Sequence, residues 1–219
     1  MRRARSPACP KPRRRTNKSV VSAVQLIALA STVSLLAGWR LYLVTFAVGL
    51  AMKFGWVALP QQLHALDVLA NNWVIGIAAL GTVAEFFADK IAWVDSLWDA
   101  IQSVVRPVGG ALLSMAIIDG GDPAWQAGSF LLGGGAALLA HAGKAGARAL
   151  VNASPEPFSN VIVSAGEDIA TAGLLGLAIA NPIAAALIAL ILVILSLWLV
   201  LSARRLLKRL LEPKRSQAG

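Results

Sequence analysis

The sequence predicts an all-α fold. The expected architecture is a polytopic helical membrane protein with about six transmembrane crossings, an N-terminal re-entrant or interfacial helix and an amphipathic interfacial helix. Three observations predict it. First, 57% of the 219 residues are hydrophobic, only 14% are charged, and the mean hydropathy is +0.68. Soluble domains average roughly 45–50% apolar and about 25% charged. Second, the apolar residues fall in runs separated by short segments rich in Gly, Pro, Asn and Asp. Third, the net charge of +9 belongs to the tails: eight of the 20 Lys and Arg lie in residues 2–18 and six in 204–215. This composition argues against an ordinary soluble enzyme and against a disordered chain. Nucleic acid is not an expected partner, because its recognition needs basic groups on a folded surface. Basic tails flanking apolar runs read instead as topology signals and contacts with anionic lipid of the bilayer. The chain divides into a basic tail (1–18), one helical membrane domain (19–203) and a second basic tail (204–219).

Residues 20–57 are apolar except for Arg40 and Lys53. One straight helix of that length would be about 57 Å long, against a hydrocarbon core of about 30 Å. The stretch must break, and Gly38-Trp39-Arg40 is the natural place. Residues 20–38 are then an interfacial or re-entrant helix leading into one true span. Ala28-Leu29-Ala30 also has the form of a signal-peptidase site. After a loop with Pro60 and Asn71-Asn72, residues 73–88 form the next span. Residues 91–105 alternate at helical spacing, with Asp95, Asp99, Gln102 and Arg106 on one face and Ile91, Val94, Trp98, Ile101 and Val105 on another. That pattern predicts a helix lying flat at the interface. Residues 107–118 and 125–140 are Gly-containing spans, 141–160 a polar loop, and 161–180 and 183–201 the last two spans, joined by the turn Asn181-Pro182. Segments 73–118 and 125–180 repeat one pattern weakly, a parallel duplication of a kind seen in transporters.

The seven tryptophans, Trp39, Trp56, Trp73, Trp93, Trp98, Trp125 and Trp198, all fall near an expected helix end, as an interfacial aromatic belt would. Counting one net crossing for residues 20–57 places 18 of the 20 basic residues on one side. By the positive-inside rule that side is the cytoplasm, and both termini of this expected multi-pass cell (inner) membrane protein lie there. Two full spans in residues 20–57 would move the C-terminal basic cluster outside, which the rule disfavours.

Charges within spans are costly and mark functional candidates. Glu167 and Asp168 lie near the centre of their span; Glu85 and Asp89 share a face; His141, Lys144 and Arg148 form a stripe; and Arg40 sits at the first break. With Asp95, Asp99, Arg106 and Asn160 they could line a polar cavity open to the cytoplasm. The alternative is that they pair as interhelical salt bridges, such as Arg40 with Glu85 or Glu167 with Lys144, and only fix packing. Gly133-Gly134-Gly135 fits close helix packing, since no phosphate-loop Lys-Ser/Thr follows. Ser159 or Asn160 is positioned to cap the helix after Ser154-Pro-Glu-Pro157. Asn152-Ala-Ser154 matches a glycosylation acceptor but falls on the expected cytoplasmic side. The lone Cys9 can form no internal disulfide, and Cys and His are too few for a structural zinc site. There is no nucleophile–base arrangement, so no catalytic residue, metal or cofactor is expected.

The motifs Gly38-Trp-Arg40-Leu-Tyr42, Glu85-Phe-Phe-Ala-Asp89-Lys90, Val94-Asp95-Ser-Leu-Trp98-Asp99 and Arg106-Pro107-Val-Gly-Gly-Ala111 form a distinctive set. His141-Ala-Gly-Lys144, Arg148 to Asn152, Ser154 to Asn160 and Ser164-Ala-Gly-Glu-Asp168 extend it. With these the chain resembles a bacterial membrane family catalogued as domain of unknown function 4126, over roughly residues 20–205. Ala92 stands where that family tends to have proline, and Gln102-Ser103 where it tends toward His-Thr, so this chain offers no catalytic histidine at that point. The resemblance implies a membrane fold and no particular activity. Three functions compete: a transporter or permeation protein for a small ion or polar solute, a non-catalytic scaffold or assembly subunit that could be homo-oligomeric, and an enzyme acting on lipid head groups. In the last, Arg106, Lys144 and Arg148 would hold phosphate, and Asp95, Asp99 or Asp168 would hold Mg²⁺.

Overall fold

The computed structural model describes residues 22–55, 61–118, 121–152 and 157–211. Among them the chain is entirely helical: α1 (Ala23–Lys53), a 3-10 helix (Gln61–Ala70), α2 (Asn72–Ala88), α3 (Ala92–Ile117), α4 (Pro123–Asn152), α5 (Pro157–Ala180) and α6 (Pro182–Leu211). Four helices are long and apolar enough to cross a membrane: Ala23–Lys53, Trp93–Ile117, Val161–Ala180 and Pro182–Ser202. They point to a multi-pass membrane protein.

Helix starts follow local capping chemistry. Ser22 and Gln25 form a reciprocal capping box at α1, with bonds of 3.2 and 2.9 Å. Asn71 Oδ1 accepts from the Trp73 amide (2.8 Å) at α2, and Asp122 Oδ1 from Ala124 (2.7 Å) at α4. At α6, Asn181 Oδ1 accepts from Ala184 (3.1 Å), and Pro182 takes the first helical position.

α1 breaks where the sequence predicts, at Arg40, whose φ of −142° and ψ of 67° leave the helical region. Its course differs from the expectation. Ser34 Oγ donates to the Gly110 carbonyl (2.9 Å), and a side chain at Gly109 would meet Leu41 at 2.6 Å. Residues on both sides of the bend thus lie against the same turn of α3, while Arg106, one turn earlier, reaches the Gly38 carbonyl at 3.4 Å. The first arm runs parallel to α4. The second runs back along α2 until Lys53 bonds Asn72. From the bend, both arms therefore extend to the end where α2 and α4 begin and α3 finishes: the first arm comes from that end and the second returns to it. They are about 26 and 20 Å long, each short of the roughly 30 Å core.

The first arm does not lie on the surface as an interfacial helix would; it is the centre of the bundle. Ala30, Leu36 and Ala37 are fully buried. The physical reason is a ridge of small residues, Ala30, Ser34 and Gly38, one turn apart, which lets backbones approach closely. A methyl at Gly38 would meet the Ala137 carbonyl oxygen and, at 2.7 Å, Ala140 Cβ; one at Gly110 would meet Ala137 Cβ at 2.5 Å. Gly133 packs in the same way against Gly110 and Ser114, consistent with the packing role read from the glycine run.

Three further expectations are corrected. Residues 91–105 are not a separate helix lying flat, because α3 continues through Pro107 to Ile117. Its polar face points inward: Asp95, Asp99, Gln102 and Arg106 are buried, while Trp93, Leu97 and Val104 are 72%, 58% and 68% exposed. A surface helix in water would do the reverse. Second, residues 141–160 are not a loop. α4 continues to Asn152 and α5 starts at Pro157, ahead of the proposed caps Ser159 and Asn160. Residues 153–156, with Ser154 and Glu156, lie outside the described residues. Third, Trp39 is buried within the bundle, whereas Trp73, Trp93, Trp125 and Trp198 are exposed as an aromatic belt requires; Trp56 lies outside the described residues.

Side chains at Gly146 and Gly143 would meet Val200 (2.8 Å) and Ser196 (3.2 Å), so α6 finishes at the end where α4 finishes. Ser22 and Leu211 consequently sit at opposite ends of the bundle. That departs from the expectation of entry and exit on one side. Charge counting cannot see a helix bend back on itself.

Candidate functional site

α2, α3, α4 and α5 all bring their charged turns to one end of the bundle, and the bend of α1 adds Arg40. Arg40 is buried and reaches four carboxylates: Asp89 by a direct hydrogen bond, Asp168 at 3.0 Å, Glu167 at 3.3 Å and Glu85 at 3.8 Å. Its Nη2 also donates to the carbonyl and the hydroxyl of Ser164, both at 3.1 Å. Lys144 Nζ lies among Glu167 (3.5 Å), Glu85 (3.6 Å) and Asp89 (3.7 Å). Arg106 bonds Glu85 and approaches Asp99 at 3.5 Å. Arg148 reaches Asp95 at 3.1 Å and donates to the Asp89 carbonyl at 2.7 Å.

The bend supplies acceptors of its own. It turns the carbonyls of Gly38 and Trp39 off the helical path, where Arg106 (3.4 Å) and Lys144 (3.2 Å) donate to them. His141 Nδ1 lies 2.8 Å from Arg106 Nη1. A guanidinium can only donate, so Nδ1 is the acceptor and the ring proton of neutral His141 belongs on Nε2. Asp89 stands just beyond the end of α2. Burial pushes its carboxyl upward, but Lys144, Arg40 and Arg148 outweigh that and hold it below the ordinary carboxylate range.

The network has a simple charge structure. Arg40, Arg106, Lys144 and Arg148 are buried, and so are Glu85, Asp89, Asp95 and Asp99. These balance. Glu167 and Asp168 are in surplus, and they are the carboxylates of the network whose side chains are only partly buried, 16% and 31% exposed. A cavity of about 380 Å³ opens beside Arg40, Glu85 and Asp168. Another of about 340 Å³ is lined by Asp95, Asp99, His141 and Arg148.

Every candidate residue but Asn160 thus meets the others in one network, including the anticipated pairs Arg40–Glu85 and Lys144–Glu167. Asn160 belongs to the first turn of α5, and its side chain lies outside the described residues. Ser164 was missed as a site residue; its signal was its place one turn before Glu167 and Asp168 on the same helix. Gln102, which donates to the Tyr42 hydroxyl at 3.2 Å, was read as part of the polar face and as a departure from the family's pattern but not as a site residue. Among the described residues, no three Cys, His, Asp or Glu side chains gather as a metal site requires.

An all-helical chain with apolar residues outward and a ten-residue ionic network inward has the organisation of an integral membrane protein. Residues 27–202 match the family described as Domain of unknown function (DUF4126), and the chain belongs to it. The chain matches no curated protein and no solved structure.

Proposed function

We propose that this protein moves a small ion or small polar solute across a bacterial inner membrane, with Glu167 and Asp168 as its cation-attracting group. The observation that carries the reading is the surplus: the buried charges cancel, and of the two extra carboxylates Asp168 borders the cavity while Glu167 stands beside it in sequence, against Arg40 and Lys144. Carboxylates at this depth cost about 2.5–3.5 kcal/mol each on the lenient insertion scale, a cost that packing alone does not require. In this reading α2 to α6 make five crossings, and α1 is a re-entrant hairpin that delivers Arg40. The network end faces the cytoplasm. Among the described residues Lys90, Arg204, Arg205 and Lys208 lie there, against Lys53 at the other end. Arg204 and Arg205 are exposed on the last turns of α6, suited to anionic lipid.

The test is reconstitution of the full chain into liposomes with proton- and potential-sensitive dyes. Flux of H⁺, Na⁺ or K⁺ above that of empty vesicles is expected, with at least a tenfold loss in Asp168→Asn. Wild-type vesicles as tight as empty ones overturn the reading. A second reading, a packing or assembly subunit, is favoured by one observation: each buried cation is already within ion-pair distance of a carboxylate. The same observation weighs against a head-group enzyme, because phosphate would have to displace carboxylates from Arg106, Lys144 and Arg148.

A further inference from the structure

The cleft beside Asp168 differs chemically from the rest of the network. Its floor is ionic, with Arg40, Glu85 and Asp168, but its walls are carbon: Leu43, Phe86, Ile169 and Ala172, with Thr82 the one hydroxyl. Phe86 and Ile169 are exposed at its rim, 42% and 74%, on the apolar outer surface between α2 and α5. The mouth therefore opens sideways, toward hydrocarbon. Glu85 is 1% exposed, and its Oε2 has no hydrogen-bond partner although Oε1 faces three cations.

Volume and wall chemistry select the occupant. About 380 Å³ lies within the 300–1,000 Å³ range of small-molecule sites. A hard metal cation instead takes a shell of about six to eight oxygens, and these walls offer few. The Phe86 ring already holds one cation, with Lys90 Nζ 3.3 Å from its centroid. We infer that this cleft binds an organic monocation, an ammonium or amidinium on an apolar body, entering from the membrane side. Asp168 is its counter-ion, and Phe86, Ile169 and Ala172 receive the body. This rests on the reading of the surplus carboxylates as a cation site and narrows it to a substrate class.

The experiment uses the purified full chain in detergent, titrated calorimetrically with benzylammonium chloride, benzyl alcohol and sodium chloride at constant ionic strength. Saturable binding of benzylammonium is expected, with none of benzyl alcohol. Its Kd should rise at least tenfold in Asp168→Asn. It should rise as much in Ala172→Trp, which fills the exposed mouth without touching a charge and so tests the site even if Asp168→Asn fails to fold. Equal binding of sodium and benzylammonium, indifferent to Ala172→Trp, overturns the organic class and leaves the cation site standing. Uptake of phosphatidylethanolamine from nanodiscs with no saturable benzylammonium signal overturns the soluble-amine class in favour of a lipid ammonium. No response to any cation overturns both readings.

Discussion

Glu85→Gln is the most discriminating perturbation of the network. Glu85 is 1% exposed, and its Oε1 faces Arg106, Lys144 at 3.6 Å and Arg40 at 3.8 Å. Glutamine keeps the shape and removes the charge, leaving four buried cations against three buried carboxylates. Arg106 loses its directly bonded carboxylate and keeps Asp99 at 3.5 Å, and removing one partner of a buried pair costs about 3–5 kcal/mol. For a chain of this size, each kcal/mol shifts Tm by about 2–4 °C, so a fall of about 6–20 °C is expected. Glu167→Gln is the control. It removes a surplus carboxylate, and the buried cations keep their other partners, so the loss should stay under about 1 kcal/mol or reverse sign. The assay is thermal unfolding in one detergent, followed by tryptophan fluorescence. Equal shifts in the two variants, or a Glu85→Gln midpoint within 2 °C of wild type on the scale just given, would refute the charge-balance reasoning.

Three other outcomes follow from the same geometry. Gly38→Ala drives a methyl against the Ala137 backbone and should destabilise by about 1–3 kcal/mol, whereas Gly76→Ala, with nothing within 4 Å, should gain up to about 1 kcal/mol; denaturation of both variants in detergent checks this. Single cysteines at Val24 and Arg205, in a Cys9→Ser background, should label from opposite sides of intact cells, and labelling from one side contradicts the described course of α1. Asp89 has a folded pKa below its unfolded value, so its contribution is complete above about pH 4 and is lost as pH falls through the folded pKa. The Tm gap between wild type and Asp89→Asn should therefore be constant from pH 7 to 5 and close below about pH 4; a gap that already narrows at pH 6 argues against the stated cations as the cause.

Much of this was legible because membrane sequences expose their solvent. Lipid-facing and protein-facing residues differ in kind, so the runs, the loop at Asn71-Asn72 and the turn at Asn181-Pro182 that separate them, and the break at Arg40 could be read directly. The membership of the network was legible for the same reason, since each charge in an apolar run needs company. Direction was not legible. Nothing local in Trp39-Arg40-Leu41 states that the chain turns back, because the turn is held by distant groups on α2, α3, α4 and α5. The amphipathic pattern of residues 91–105 was seen correctly, and so was the turn of Asp95 and Asp99 toward the other charges, but the segment was read as a separate helix lying flat when it runs on unbroken to Ile117 with its polar face buried. Periodicity reports two faces and does not say which solvent each meets.

The arm of α1 that ends at Arg40 is synthesised before every helix it packs against. Its ridge of Ala30, Ser34 and Gly38 has no surface to meet until α3 and α4 exist, and Arg40 has no carboxylate until α2 emerges and no Ser164 until α5 does. The centre of the finished bundle is thus the part that waits longest for its neighbours. Biogenesis must either hold this segment at the insertion machinery or let later helices close around it. Substitutions in it are therefore expected to lower the yield of inserted protein before they alter the behaviour of molecules that have already assembled.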